Sequence, residues 1–174
     1  TALETFFPEK RLFVLEGQEV FVASPRADTR SGGVGNRGAP TTLVNTRRIG
    51  GRPVEPMLPP GVTISERELI QPVELVGAAK LTGQSGKLRY GVLTAFEDDV
   101  KFEASVAGNP VNLEGDGSDY AIARIIYEDS SNGSYRAVGL LSTAVVHPDR
   151  DAITHGVDGH YLSHDGKWKV DGQV

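Results

Sequence analysis

The stretch Leu75–Glu97, LVGAAKLTGQSGKLRYGVLTAFE, decides the fold. It reads as two long strands joined by a tight turn containing Gly. From Leu88 onward every second position is apolar or hydroxylated: Leu88, Tyr90, Val92, Thr94 and Phe96. The positions between are Lys87, Arg89, Gly91, Leu93 and Ala95. A period of two sends alternate side chains to opposite faces of a sheet. The sheet therefore has two unlike faces, and the question is which one meets water.

The same period continues toward the C-terminus. Strands are expected over residues 73–83, 86–97, 119–129, 134–147, 152–163 and 166–174. The connections GQSG, DSSNGS, HPDRD and SHDG read as hairpin turns, with Asn132-Gly133 and Asp165-Gly166 the strongest signals. Residues 98–118 are acidic and Gly-containing and read as a polar loop. In the last strand Trp168, Val170, Gly172 and Val174 share one face, and Lys167, Lys169, Asp171 and Gln173 the other. In 134–147 the set Tyr135, Ala137, Gly139, Leu141, Thr143 and Val145 opposes Arg136, Val138, Leu140, Ser142, Ala144 and Val146. In 120–128 Ala121, Ala123, Ile125 and Tyr127 oppose a mixed face that carries Arg124.

Upstream the chain is irregular. A short strand is expected on either side of a Glu16-Gly17 turn within Phe13–Phe21. Residues 25–42 are a loop rich in Gly and Arg, and 43–49 is a candidate short strand. Pro53, Pro56, Pro59 and Pro60 make 50–63 an extended connector. The best helical candidate, ISERELI at 64–70, is short and is followed by Pro72. The division expected is a strand-and-loop lead-in over 1–72, serving as a plug or periplasmic segment, and barrel-like strands over 73–174. The opening Thr-Ala-Leu and a last strand still alternating at Val174 read as cuts in a longer protein.

Composition narrows the class. Gly 21 and Pro 10 point to strands and turns over helix bundles. A net charge of -5 argues against nucleic acid as a partner. With Cys 0, no disulfide or thiolate site exists. Two architectures remain. A soluble sandwich or barrel buries the apolar face, whereas an outer-membrane barrel turns it to lipid and the charged face to the lumen. Strands of about nine to eleven residues suit a tilted membrane span, while the soluble norm is about five or six. Tyr135, Tyr161 and Trp168 near strand ends fit an aromatic girdle. Strand length favours the membrane barrel.

Several segments resemble one bacterial family in order. FFPEKRLFVLEG at 6–17, TRRIGGRP at 46–53, VGAAKLTGQSG at 76–86, YAIARIIYED at 120–129, AVGLLSTAVVHPD at 137–149 and HGVDGHYL at 155–162 look like successive motifs of the DUF5916 family. The resemblance spans nearly the whole chain. It departs at Leu12, Val14, Val146-His147-Pro148 and the 25–42 loop. The resemblance implies an envelope protein of diderm bacteria, with a carbohydrate-binding family 9-like domain preceding a C-terminal barrel in the outer membrane. Members are labelled carbohydrate-binding proteins or hydrolases without an established reaction. The expected fold is therefore all-β: an antiparallel up-and-down meander forming an incomplete outer-membrane-type β-barrel behind an irregular lead-in. The expected partners are outer-membrane lipid and saccharide handled by the preceding domain. The expected role is anchoring or saccharide passage, with no cofactor. Alternatives are a component of a membrane-associated glycoside hydrolase and a soluble all-β binding module.

The residues hold few chemical motifs. Gly33–Gly38 fits a dinucleotide fingerprint only literally, since no helix follows before Pro40. All four histidines fall within 147–164, but His155 and His160 lie on opposite faces of one strand while Asp158 and His160 share one. Exposed or lumen-facing histidines outweigh a metal site. Glu114–Asp119 lacks the closing Glu of a calcium loop. Asp98 and Asp99 are sequence neighbours, which does not set two carboxyls across a cleft. No catalytic residue is assigned. The candidate ligand set is Glu9, Arg11, Glu16, Arg47, Arg48 and Lys80, charges in the family-like segments. They either pair inside the barrel, where an unpaired charge is costly, or face a sugar or anion in the lumen.

Overall fold

Alternation builds five long strands and one short one into a single antiparallel sheet. The computed structural model describes residues 17–21, 23 and 43–174. The strands are β1 (Val62–Ile64), β2 (Leu75–Ser85), β3 (Leu88–Glu97), β4 (Val100–Val106), β5 (Asn109–Gly115), β6 (Asp119–Asp129), β7 (Tyr135–Val146), β8 (Ala152–Leu162) and β9 (Lys169–Gln173). The large sheet has the order β2-β3-β6-β7-β8-β9, and a smaller one runs β1-β4-β5. The large sheet does not close on itself, so β2 and β9 are its edges. Among the described residues no helix is long and apolar enough to cross a membrane, a criterion that does not address strands.

The register sorts the faces. Arg89 lies opposite Ile126, Ile126 opposite Gly139, and Gly139 opposite Asp158, so these positions form one row on the inner face. Tyr90, Ile125, Leu140 and Val157 form a neighbouring row on the outer face. Lys80 and Arg89 fall on the inner side, with Leu88, Tyr90, Val92 and Phe96 on the outer, as the alternation predicts. The outer face is apolar and uncovered: Val92 is 44% exposed, Leu140 49% and Val138 58%. Part of the inner face is covered by the lead-in. Val20, Phe21, Ala23 and Ile49 pack on Leu93, Ala95, Ile122 and Leu141, with Leu43, Val44 and Tyr120 at the margin. Two glycines make the approach possible. A Cβ at Gly91 would meet Phe21 Cζ at 2.8 Å, and one at Gly156 would collide with Leu43.

Four local expectations are corrected. Residues 98–118 are not a loop but carry the β4–β5 hairpin, and β1 within the expected connector pairs with β4. Ala107 and Gly108 both take positive φ, the geometry of a two-residue type I′ turn. Phe102, 1% exposed, anchors this sheet. Residues 43–49 are not a strand. Asn45 accepts a hydrogen bond from Arg47 N, and this capping starts a 3-10 turn over Thr46–Arg48. Residues 17–21 form a turn and a 3-10 helix (Gln18–Phe21) instead of a strand, and the first part of that expected pair lies outside the described residues. The β2–β3 turn sits at Gly86-Lys87, later than GQSG implied, because Gly86 supplies the positive φ at the first turn position. The ISERELI segment holds one helical turn, α1 (Glu66–Leu69).

The small sheet and the lead-in are tied to the large sheet at its β3 end. Glu97 accepts Gly50 N at 2.8 Å and Ser118 N at 3.1 Å. Tyr120 Oη donates to the Arg48 carbonyl at 3.3 Å.

Candidate functional site

Charged side chains on the inner face converge where the lead-in does not fill it. A cavity of about 350 Å³ lies there, lined from β3, β6, β7, β8 and β9 and by Glu19 of the 3-10 helix. Such a volume falls at the low end of the roughly 300–1,000 Å³ usual for small-molecule sites.

The centre of the site is a buried ion pair. Arg124 and Asp158 each have side chains 1% exposed. Arg124 Nη2 donates to Asp158 Oδ2 at 2.8 Å and lies 2.7 Å from Oδ1. Each charge is tolerable in this burial only beside the other, since either alone would lose its hydration without return. Gly139 makes the pair possible, because a Cβ there would sit 2.6 Å from both Arg124 Nη2 and Asp158 Oδ1.

The network extends from Asp158. His160 Nε2 is 2.9 Å from Asp158 Oδ2, and His160 Nδ1 is 2.7 Å from Asp171 Oδ1. The ring thus bridges two carboxylates, and Lys169 Nζ stands 3.3 Å from Asp171 Oδ2. A second arm centres on Glu128, which accepts from Arg89 at 3.2 Å and from Tyr135 Oη at 3.1 Å. Glu19 approaches Arg89 only loosely, at 3.8 Å, and is largely exposed. Most of these charged groups have partners within the site, and Ile126, Ala137 and Leu162 supply apolar wall between them. Glu19 is the most exposed of the charged groups.

The expected ligand set distributes differently. Glu9, Arg11 and Glu16 lie outside the described residues. Arg47 and Arg48 are exposed on the 3-10 turn, and Lys80 is half-buried on the inner side of edge strand β2. None of these three lines the cavity. The residues that do converge were visible only in part. Arg124 and Glu128 share the mixed face of an otherwise apolar strand, and Asp158 and His160 share a face by spacing. Their meeting with Arg89, Glu128 and Asp171 depends on register across five strands.

The other candidates are local. Among the described residues no group of three His, Asp or Glu is placed to hold a metal ion. His147 is buried at the end of β7, its Nε2 3.1 Å from the Asp116 carbonyl and its Nδ1 accepting Asp149 N, so it staples a turn. Asp98 accepts Asp99 N and Asp99 accepts Gly117 N, which fixes the entry and exit of the β4–β5 hairpin. In the turn before β9, hydrogen bonds from Ser163 and from Lys167 N hold the Asp165 carboxyl below its ordinary range. At the β2–β3 turn, a hydrogen bond to Asp129 raises the Lys87 ammonium.

Comparisons with protein-family models, with curated proteins and with solved structures returned no match to this chain.

Proposed function

We propose that the six-stranded sheet is a piece of the wall of an outer-membrane β-barrel in a DUF5916-like protein of diderm bacteria. In this reading the apolar face meets lipid, and the charged face borders a lumen that the lead-in partly fills. The segment anchors the protein or lines a path for saccharide delivered by a neighbouring domain. The observation that carries the reading is the outer face itself. It presents Val92, Leu140, Val138 and Ile153 to the surroundings across strands of 10 to 12 residues. A soluble monomer rarely leaves so continuous an apolar surface open, and strands of this length match a tilted bilayer crossing. The ordered family-like motifs and the polar inner face support the same reading.

The single tryptophan supplies the test. Trp168 is 69% exposed and shares the outer side of Val170. On folding into short-chain phosphatidylcholine vesicles its emission should shift to the blue and be quenched by brominated lipid. A chain that folds as a monomer in detergent-free buffer, with Trp168 emission indifferent to vesicles, overturns the membrane reading in favour of a soluble binding module.

A further inference from the structure

The buried pair at the cavity centre is incompletely satisfied in both senses. Arg124 Nε and Nη1 have no hydrogen-bond partner among the described residues. Asp158 Oδ1 lies within ion-pair distance of Nη2 yet outside hydrogen-bonding geometry, so it too is left as an open acceptor. A buried polar group without a partner carries its full desolvation cost. A ligand that closes these groups therefore gains more here than on the surface.

The combination selects the ligand chemistry. A simple anion would satisfy the Arg124 donors but confront Asp158, Asp171 and Glu128. A cation would satisfy Asp158 and confront Arg124 and Arg89. A hydroxyl donates and accepts through one oxygen, and so meets both an open N–H and an open carboxylate oxygen. The formal charges lining the cavity also nearly cancel, with Arg89, Arg124 and Lys169 against Glu19, Glu128, Asp158 and Asp171.

We propose that the inner-face cavity between Arg124, Asp158 and His160 binds a neutral polyhydroxylated molecule of mono- or disaccharide size. One ligand hydroxyl accepts from Arg124 and donates to Asp158. The unpartnered atoms are sealed from bulk water, so binding includes a shift of the guanidinium toward the cavity it already lines. Glu19, 3.8 Å from Arg89, is the most exposed of the charged groups lining the cavity. This site rests on reading the inner face as saccharide-handling, and not on where the outer face lies.

The test titrates the full chain in lauryldimethylamine oxide micelles, a detergent without sugar, with D-glucose, D-galactose and maltose, and with sodium sulfate as the anion probe. Saturation-transfer NMR and calorimetry read the binding. At least one sugar should bind saturably, and Arg124→Met/Asp158→Leu should weaken it at least tenfold. That double substitution removes both charges together and so avoids a lone buried ion; circular dichroism verifies that the sheet remains. Val138→Ala, on the outer face, should leave binding unchanged. Absence of saturable sugar binding, binding of sulfate alone, or unchanged sugar affinity in the folded double variant overturns the site. Failure of the membrane reading is separate: a chain that folds in buffer is titrated there with the same sugars.

Discussion

Leu140→Arg separates a lipid-facing sheet from a water-facing one by magnitude. Leu140 lies midway along β7, on the outer face, with Ile125 and Val157 as its lateral neighbours. It is 49% exposed, so its side chain is half covered within the chain itself. If water lies beyond it, the substitution loses about half the burial of a leucine, roughly 1 kcal/mol, and the arginine stem recovers part of that. If the hydrocarbon of a bilayer lies beyond it, the guanidinium stands near the midplane, where such charges cost about 2–4 kcal/mol. That difference is a factor of about 30 to 1,000 in the unfolding constant, against about fivefold or less in water. Depth adds an internal control. Ile153, 68% exposed and near the start of β8, lies toward the sheet rim. Ile153→Arg should cost only about 0–1 kcal/mol in a bilayer. The assay is reversible denaturant unfolding in phospholipid vesicles, followed by far-UV circular dichroism. A penalty for Leu140→Arg within about 0.5 kcal/mol of that for Ile153→Arg, both near the values for exposed positions, refutes the lipid-facing assignment.

Two further outcomes follow from the local geometry. Gly91→Val places side-chain atoms where Phe21 and Val20 now pack, within 2.8 to 3.0 Å of the added Cβ; overpacking of this kind costs about 1–3 kcal/mol, and the lead-in, not the sheet, should give way. Limited trypsinolysis should then cut at Arg47 and Arg48 faster than in the parent chain, with cleavage after Arg124 unchanged; equal rates at Arg47 and Arg48 would disprove the contact. The Asp165 carboxyl should titrate below the ordinary aspartate range, because Ser163 Oγ donates to it at 2.6 Å and Lys167 N at 3.2 Å. Its folded pKa is depressed, so its stabilising contribution is present above the unfolded value and is lost as pH falls through the folded one. Carbon-detected NMR titration should show Ser163→Ala raising the Asp165 value toward the ordinary one, and no movement would contradict the assigned hydrogen bond.

Much of the large sheet was legible because its causes are local. The alternation in 88–96, 120–128 and 134–147 fixes which side chains share a face, and Asn132-Gly133 marks where β6 reverses into β7. The β4–β5 hairpin shows the limit. Val100, Phe102, Ala104 and Val106 alternate just as plainly, yet acidic and Gly residues around them resemble a loop. The Ala107-Gly108 turn pairs β4 with β5, and β1 adds a third strand by pairing Val62–Ile64 with Ala104–Val106 from a distant part of the chain. Likewise LVNTRRI has strand-like composition, but the Asn45 cap and the burial of Ile49 in the core turn it into a 3-10 segment.

The charges divide in the same way. The sequence alone determined that Arg89, Arg124, Asp158, His160 and Asp171 lie on the less apolar side of their strands, because the two-residue period follows from backbone geometry. It also determined, in Leu75–Glu97, that one face would be hydrophobic. Only the tertiary structure decided that Arg124 meets Asp158, 34 residues away. That contact requires the β6–β7 and β7–β8 registers to add without a slip, and Gly139 to leave the space between. Only the tertiary structure decided that lead-in side chains cover part of the inner face and leave beside it a cavity lined by charged and apolar groups. A strand's alternation is set by its own backbone; the neighbour each face receives is set by packing free energy summed over the whole chain.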